Sequence, residues 1–188
     1  EFIRPWFWKG TRDEKIFVNS YYFTEVLSEE LNKDDTVITD MGTSFQCTAQ
    51  ALKLKQGQRF FTASGLAPMG YGLPGAIGAC IGSNRKRTIC ISGDGGLMMN
   101  LQELQTMSHN NLPIKLFVYD NGSYATQEET EDSYSFPRHV AVNPESGLGF
   151  PDWIKVGEAH GIKSVRLENH LNLRENIKNI LDYNGPVL

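Results

Sequence analysis

Short apolar runs alternate along the chain with segments in which apolar residues recur every three or four positions. The clearest run, residues 87–92, is rich in β-branched side chains and predicts a buried strand. The apolar residues between positions 97 and 107 show helical spacing instead and predict an amphipathic helix. The same patterns predict further strands at residues 36–39, 59–62, 114–119 and 164–167, and further helices at residues 20–31, 44–54, 73–81, 153–160 and 171–181.

This alternation predicts an α/β fold, with a parallel sheet that carries helices on both faces. Residues 122–150 show neither period and predict a long loop, which in a compact domain is usually functional. Residues 1–15 predict a connecting segment, and residues 185–188 predict a turn and the start of a strand. We therefore expect residues 16–188 to form one domain of a longer protein.

Composition and charge narrow the class of protein. The chain has 188 residues, a formal net charge of -4 and 40% hydrophobic residues, which is typical of a globular domain with a buried core. No apolar run approaches the roughly 20 residues of a membrane span, and the mild acidity argues against nucleic acid as a partner. Cys47, Cys80 and Cys90 lack the spacing of a disulfide framework or a zinc site. We expect buried thiols in a cytoplasmic protein.

Three loops are expected to meet at one edge of the sheet, because ligands of parallel sheets bind beyond the carboxyl ends of the strands. The loops are residues 40–44, 92–96 and 119–123. Asp94 lies among glycines in the second loop, and Asn121 follows 27 residues later in the third. Backbone N–H groups at a helix start bind phosphate, but an acid there repels phosphate unless a cation bridges them. Mg²⁺ takes one or two protein oxygens plus phosphate oxygens, so these loops predict a magnesium–phosphate site.

A competing motif precedes this glycine loop. Residues 70–75, Gly-Tyr-Gly-Leu-Pro-Gly, match the G-x-G-x-x-G pattern of dinucleotide-binding folds. Asp94 lies 19 residues beyond Gly75, at the position of a ribose-binding acid. However, residues 64–69 separate the motif from the preceding strand, although the fingerprint needs a strand that runs directly into the first glycine. The glycines that flank Asp94 also suit a phosphate better than a ribose.

The pair of Asp94 and Asn121 resembles the thiamine diphosphate motif, in which Gly-Asp-Gly is followed by Asn after one helix and one strand. Three further segments resemble acetolactate synthases (acetohydroxyacid synthases), namely residues 64–74, 99–104 and 111–115. The similarity extends over about residues 16–188. It implies the C-terminal, diphosphate-binding domain of a thiamine diphosphate-dependent transferase or carboligase of branched-chain amino acid biosynthesis.

The resemblance implies a set of cofactor-binding residues. These are Thr43, Ser44, Ala67, Met69, Gly93, Asp94, Gly95, Gly96, Asn121 and Ser123. Asp94, the side chain of Asn121 and the backbone oxygen of Ser123 would hold Mg²⁺, which bridges the diphosphate. Met69 would be the apolar wedge that folds the cofactor, and the carbonyl of Ala67 would contact the aminopyrimidine.

The remaining residues of this set would bind phosphate. The backbone N–H groups of Gly95 and Gly96 would bind phosphate oxygens, and Thr43 and Ser44 would bind the terminal phosphate. The residues alone leave two simpler readings open. Thr43 and Ser44 are also suited to capping a helix, and Met69 is also suited to an ordinary place in the core.

The resemblance also implies parts that this chain lacks. In the family, a glutamate of an N-terminal pyrimidine-binding domain activates the cofactor, and no segment here resembles that domain. We therefore expect no catalytic residue in this chain, no activity from the chain alone, and a partner domain supplied by a second subunit of a homodimer or tetramer. FAD would bind, if at all, elsewhere in the longer enzyme. The substrate would be a small 2-oxo acid, with pyruvate as the expected one.

Residues 122–130 depart from the family pattern. They lack the Gln-Gly-Met-Val run and the tryptophan that selects the acceptor, so the acceptor stays open and includes a sugar aldehyde or ketone. One alternative is another thiamine diphosphate decarboxylase or lyase. An alternative of a different class is a dinucleotide-binding or regulatory module that uses residues 70–75.

Overall fold

The computed structural model describes residues 17–188, and the predicted connecting segment at residues 1–15 lies outside the described residues. The strands are β1 (Thr36–Thr39), β2 (Arg59–Phe61), β3 (Thr88–Gly93) and β4 (Ile114–Tyr119). The helices are α1 (Ser20–Glu30), α2 (Thr43–Ala51), α3 (Gly72–Gly82), α4 (Asp94–Met98), α5 (Glu103–His109), α6 (Ala125–Ser133), α7 (Trp153–Ala159) and α8 (Leu173–Asp182).

The four strands form one parallel sheet in the order β2-β1-β3-β4. Every residue of β1 is buried, and β3 is buried as far as Ser92. Beyond β4, Val187 forms parallel bridges with both Lys115 and Lys163, so the last residues extend the sheet as the sequence predicts. This strand order brings the carboxyl ends of β1, β3 and β4 side by side.

Helices cover both faces of the sheet, each over its own apolar cluster. One cluster joins Ile38 of β1 and Cys90 of β3 to α3, α5 and Trp153 of α7. The opposite cluster joins the neighbouring strand residues Val37 and Ile89 to α1 and α8. Successive strand residues point to opposite faces, so a strand that is covered on both sides reads as a continuous apolar run. The predicted α/β fold is confirmed.

The predicted loop over residues 122–150 is wrong in part, because α6 lies within it. This helix is acidic, is largely exposed and buries only Glu131, so it has no apolar stripe that a pattern could reveal. A contact between distant residues helps to hold it instead, since Asn143 Nδ2 donates to Glu128 Oε1 at 2.8 Å.

The predicted helix over residues 97–107 is interrupted, because α4 ends at Met98 and α5 begins at Glu103. Hydrogen bonds in the break join residues three apart, as from Asn100 N to Leu97 O at 3.2 Å. Such 3₁₀-type turns tighten the backbone, and the apolar spacing continues across them.

The predicted strand at residues 164–167 is wrong in extent. This segment is paired through the bridge at Lys163 and the bond from Val165 N to Leu188 O at 2.8 Å. It is not part of a regular ladder, because its neighbour in the sheet is the short segment at Val187 and Leu188 rather than a full strand.

Cys47, Cys80 and Cys90 are buried free thiols, as predicted. Burial raises the pKa of each thiol, and since the thiolate is the reactive form, none of them is a candidate nucleophile. Within residues 17–188, no helix has both the length and the apolar character to cross a membrane.

Candidate functional site

A cleft of about 470 Å³ opens at the carboxyl ends of β1, β3 and β4, at the edge where the sequence predicts a site. Its walls come from four segments that are far apart along the chain: the loop after β1, the segment before α3, the glycine loop at α4 and the segment after β4. The predicted residues that line it are Thr43, Ala67, Met69, Gly93, Asp94, Gly95, Gly96, Asn121 and Ser123.

Asp94 connects the loops that follow β3 and β4. Its carboxylate is 1% exposed, and its Oδ2 accepts N–H groups from Gly122 at 2.7 Å and Asn121 at 3.1 Å. Burial raises the pKa of this carboxyl, and the backbone N–H groups oppose that rise. The amide oxygen of Asn121 in turn accepts from Ser123 N at 3.1 Å. The structure thus places the three predicted metal ligands together.

The N–H of Gly95 is already engaged, because it donates to Oδ1 of Asp94 at 2.7 Å. Of the two predicted phosphate donors in this loop, Gly96 is therefore the better placed. Both glycines lie in close contact with other side chains. A Cβ on Gly95 would lie 2.3 Å from the ring of Tyr124, and one on Gly96 would lie 2.7 Å from Oδ1 of Asp40. Neither position has room for a larger residue.

The start of α2 separates the two predicted phosphate-binding hydroxyls. Thr43 lines the cleft, whereas Ser44 is fully buried and donates its hydroxyl to Met41 O at 2.9 Å. The N-cap of α2 is Gly42, and no side chain within the described residues caps this helix. The alternative that Thr43 and Ser44 serve as caps is wrong.

Residues 67–69 form the wall opposite the glycine loop. Ala67 has a φ of +51°, a left-handed conformation that is uncommon outside glycine and is concentrated at functional sites. Met69 is 43% exposed, and its methyl carbon would lie 3.3 Å from a Cβ on Gly95. The alternative that Met69 is a core methionine is therefore wrong, since the side chain is held at the cleft.

The G-x-G-x-x-G segment faces a carboxylate rather than an open site. Gly70 N donates to Oδ1 of Asp40 at 3.0 Å, and Gly72 N donates to Oδ2 at 2.8 Å. These N–H groups are thus occupied by Asp40 and are not free to bind a phosphate. Moreover, β2 ends at Phe61, well before the motif. The geometry argues against a dinucleotide site here.

Sequence reasoning misses Asp40 and Tyr124 as parts of this site. Asp40 reads only as the residue that ends β1, and its partners at Gly70 and Gly72 lie 30 and 32 positions away. Tyr124 reads only as a neighbour of Ser123, and its contact with Gly95 depends on the tertiary fold. Local patterns contain no signal for either contact.

A larger cleft of about 800 Å³ runs along the outer side of β4, against residues 165–169. Its charged residues include Arg166, which contacts Asp120 and Asp152 at 3.4 Å each. The charge of Arg166 is therefore compensated within the fold. The larger cleft shares Thr43 and Asn121 with the smaller one, but no residue of the glycine loop lines it. Size alone does not make this cleft the functional site, and the smaller one carries the convergent polar groups.

The smaller cleft has the donor set that a magnesium diphosphate would need. Hard cations prefer oxygen ligands, and Mg²⁺ in nucleotide and diphosphate sites uses one or two carboxylates together with phosphate oxygens. Asp94 supplies a fixed carboxylate, and Asn121 and Ser123 supply neutral oxygens beside it. Residues 17–188 contain no cluster of three His, Cys, Asp or Glu side chains that would bind a metal without such help.

A comparison with protein families decides the identity of the domain. The model of the thiamine pyrophosphate enzyme C-terminal TPP-binding domain matches residues 40–188. The chain belongs to this family. All the residues that line the cleft, from Met41 to Thr130, fall within the matched TPP-binding domain.

Three similar relatives of this TPP-binding domain are named as acetolactate synthases. The chain is 34% identical over 158 residues, or 84% of its length, to a probable acetolactate synthase large subunit of Methanococcus aeolicus. It is 34% identical over 163 residues to the acetolactate synthase large subunit of Porphyra purpurea, and 33% identical over 171 residues to the chloroplastic acetolactate synthase 1 of Nicotiana tabacum. These matches cover 87% and 89% of the chain. The chain spans about a quarter of the length of these relatives, at 26%, 27% and 26%.

Proposed function

We propose that this domain binds the diphosphate of thiamine diphosphate through Mg²⁺, as part of an acetolactate synthase-like enzyme. The enzyme would decarboxylate a 2-oxo acid, with pyruvate as the expected substrate, and ligate the remaining unit to an acceptor. One observation carries the proposal: a buried carboxylate, Asp94, shares a cleft with the amide of Asn121, the glycine loop and the half-exposed Met69. The names of the relatives support the choice of enzyme.

The residues of this chain would bind and orient the cofactor. Asp94, Asn121 and Ser123 would hold Mg²⁺ against the diphosphate, and the hydroxyl of Thr43 with the N–H of Gly96 would bind phosphate oxygens. When bound, thiamine diphosphate supplies the electron sink for decarboxylation of the 2-oxo acid. No proton transfer is assigned to this chain.

The side chains beside the glycine loop would place the cofactor rings. Met69 would support the thiazolium ring from below as an apolar wedge, and the carbonyl of Ala67 would contact the aminopyrimidine. Ala67 lines the cleft and has a left-handed backbone, and this supports the role because such conformations are concentrated at functional sites. The activating glutamate would come from an N-terminal pyrimidine-binding domain, supplied by a second subunit of a homodimer or tetramer.

The acceptor side of the cleft differs from the pattern of acetolactate synthases. Tyr124 lies against Gly95 and makes an edge contact with Phe150 at 6.0 Å between ring centroids. Residues 122–130 also lack the acceptor-selecting tryptophan of that pattern. This departure supports a second candidate, another thiamine diphosphate decarboxylase or lyase, equally dependent on Mg²⁺. Analysis of the products that the full-length protein forms from pyruvate, with and without aldehyde, ketone and 2-oxo acid acceptors, separates the two.

The first test measures ligand-dependent stability of the full natural protein that carries this domain. Thermal unfolding is followed with thiamine diphosphate, with and without Mg²⁺, and with NAD in parallel. Binding to the native state adds about 2.7 kcal/mol at a ligand concentration one hundred times Kd. We expect the unfolding temperature to rise only when thiamine diphosphate and Mg²⁺ are both present. The variant Asp94→Ala should abolish this rise.

Asp34→Ala is the matched control. Asp34 is an exposed carboxylate that precedes β1 at the opposite end of the sheet, where it pairs with Lys86 at 3.8 Å. This variant should keep the full response. A higher unfolding temperature with NAD alone would overturn the proposal in favour of a dinucleotide site. If Asp94→Ala keeps the response to thiamine diphosphate and Mg²⁺, the assignment of Asp94 as a metal ligand is wrong.

A further inference from the structure

Asp40 is a buried carboxylate that follows β1 and is 1% exposed. Its own N–H donates to Ile91 O at 2.8 Å, which fixes the residue against β3. Its side chain accepts three N–H groups: Met41 at 2.8 Å and Gly70 at 3.0 Å on Oδ1, and Gly72 at 2.8 Å on Oδ2. Charge-assisted bonds of this kind compensate for burial of the carboxylate. Two of them go to a segment about 30 positions away.

These bonds hold the segment that carries Met69. Gly70 follows Met69 directly, and its φ of +86° leaves it in the left-handed region. Its N–H donates to Asp40, while its carbonyl accepts from Asn100 Nδ2 at 2.6 Å. The peptides on both sides of Gly70 are therefore held, the one before it by Asp40 and the one after it by Asn100. Gly72, the second partner of Asp40, is the first residue of α3.

The same carboxylate also lies against the glycine loop. A Cβ on Gly96 would lie 2.7 Å from Oδ1 of Asp40, and a Cβ on Gly72 would lie 2.9 Å from Oδ2. Asp40 thus fills the space between the Met69 segment and the loop of Asp94. Because packed interiors change little in volume, its position sets the distance between these two walls of the cleft.

We propose that Asp40 is a positioning residue, which holds the Met69 segment in register with the Asp94 loop so that one cofactor molecule contacts both. The inference rests on the proposed function. In that function the Asp94 loop binds the diphosphate and Met69 supports the ring, so a correct distance between them matters for thiamine diphosphate but not for a diphosphate alone. Asp40 acts through Gly70 and Gly72 and does not touch the ligand.

Both oxygens of Asp40 are needed for this role. The N–H groups of Gly70 and Gly72 bind different oxygens, so Asp40→Asn would set an amide NH₂ against one of the two donors. One of these hydrogen bonds is lost, and the two donors then repel, while the size of the side chain hardly changes.

Asp35 provides a matched control at the opposite end of β1. It too is a buried carboxylate, 3% exposed, and it accepts from Arg87 Nε at 2.9 Å and Asn32 N at 2.7 Å. It lies at the amino end of the strand, away from the cleft. Asp35→Asn therefore replaces a buried carboxylate beside the same strand by an amide, without moving the Met69 segment.

The experiment measures the dissociation constants of two probes by calorimetry, at fixed Mg²⁺, in the full natural protein. The probes are thiamine diphosphate and inorganic pyrophosphate. For Asp40→Asn we expect at least a tenfold weaker affinity for thiamine diphosphate and less than a threefold change for pyrophosphate. Asp35→Asn should change both constants by the same factor, whatever its effect on the unfolding temperature.

The positioning role is overturned if Asp40→Asn leaves the ratio of the two dissociation constants unchanged. It is also overturned if Asp35→Asn changes this ratio as much as Asp40→Asn does. If Asp40→Asn does not fold, Asn100→Ala decides, since it releases the carbonyl of Gly70. Asn100→Ala should weaken the affinity for thiamine diphosphate more than the affinity for pyrophosphate, by a smaller factor than Asp40→Asn. An unchanged ratio of the two dissociation constants would overturn the proposal. Wild-type protein that binds neither probe would instead refute the proposed function itself.

Discussion

Close contacts between backbone and carboxylate make single atoms important at the cleft. Gly96 is the clearest case, because a Cβ there would lie 2.7 Å from Oδ1 and 2.8 Å from Cγ of Asp40. The carboxylate has no freedom to retreat, since it is held by Gly70 and Gly72. Gly96→Ala should therefore lower the free energy of unfolding by about 1–3 kcal/mol, as overpacking of an interior does. Urea denaturation measures this loss.

Gly93→Ala is the control for that prediction. Gly93 precedes Gly96 in the same loop, but no atom lies within 4 Å of a Cβ placed on it, and its φ is -81°. Its unfolding free energy should stay within about 0.5 kcal/mol of wild type. Equal losses in the two variants would contradict the contact with Asp40.

Lys115 gives a pH dependence with a defined sign. Its side chain is buried in β4, and its Nζ donates to Tyr183 O at 2.6 Å and Gly185 O at 2.7 Å. Burial lowers the pKa of this amine from 10.5 to about 8. Between these values the unfolded chain binds the proton more than the folded chain does, so this group makes stability rise with pH over that window.

The variant Lys115→Met isolates this effect from other titrating groups. It removes both hydrogen bonds and leaves two carbonyls without their donor, which should cost about 1–3 kcal/mol at pH 8. The stability advantage of wild type over the variant should then grow as the pH is raised from 8 to 10.5. Denaturation curves of both proteins at several pH values measure it, and an advantage that shrinks over this range would contradict the direction of the pKa shift.

Among the helices, α3 shows how one element divides its glycines between function and fold. A Cβ on Gly72 would lie 2.9 Å from Asp40, whereas Gly78 is exposed and has no neighbour within 4 Å of a Cβ. Gly78→Ala should therefore raise the free energy of unfolding by about 0.5–1 kcal/mol, because glycine loses more backbone entropy in a helix. Gly72→Ala should lower it. Chemical denaturation of the two variants checks both signs, and a loss of stability in Gly78→Ala would contradict this assignment.

Whether an element can be predicted from the sequence depends on the contacts that stabilise it. The strands β1, β3 and β4 and the helices α1, α3 and α8 are visible in the sequence because their burial imposes an apolar pattern. Helix α6 is not visible, since it buries only Glu131 and is held in part by a bond to Asn143. The spacing of apolar residues reflects burial, so it does not reveal an element that is held by polar contacts.

The same distinction applies to the cleft. Asp94 and Asn121 follow two adjacent strands, so topology alone brings them together and the sequence predicts it. The link from Asp40 to Gly70 and the contact of Tyr124 with Gly95 join segments that no local rule connects. The sequence thus predicts that Asp94 and Asn121 lie together, but it does not predict the contacts of Asp40 and Tyr124 that hold the walls of the cleft.

On the scale of the whole molecule, apolar side chains are exposed at the cleft that we assign to the cofactor and on the chain segments next to it. Leu66 is 93% exposed, and Met69, Met98 and Met99 are 43%, 39% and 49% exposed. Contiguous exposed apolar surface commonly marks an interface. The chain spans about a quarter of the length of the relatives it matches, and the proposed pyrimidine-binding domain would have to approach this same edge to complete the site. We therefore expect this surface to be covered in the assembled enzyme.

Oxidation of methionine tests this coverage, because conversion to the sulfoxide requires access to the sulfur. Met98 and Met99 should react rapidly with peroxide when the 188-residue chain is treated alone, and at least tenfold more slowly in the full natural protein. Met107, which is fully buried under α3, is the internal control and should be protected in both. Mass spectrometry of peptides gives the three rates. Equal reactivity of Met98 and Met99 in the two forms would show that the edge stays open, and the proposed partner domain would then have to reach the cofactor from elsewhere.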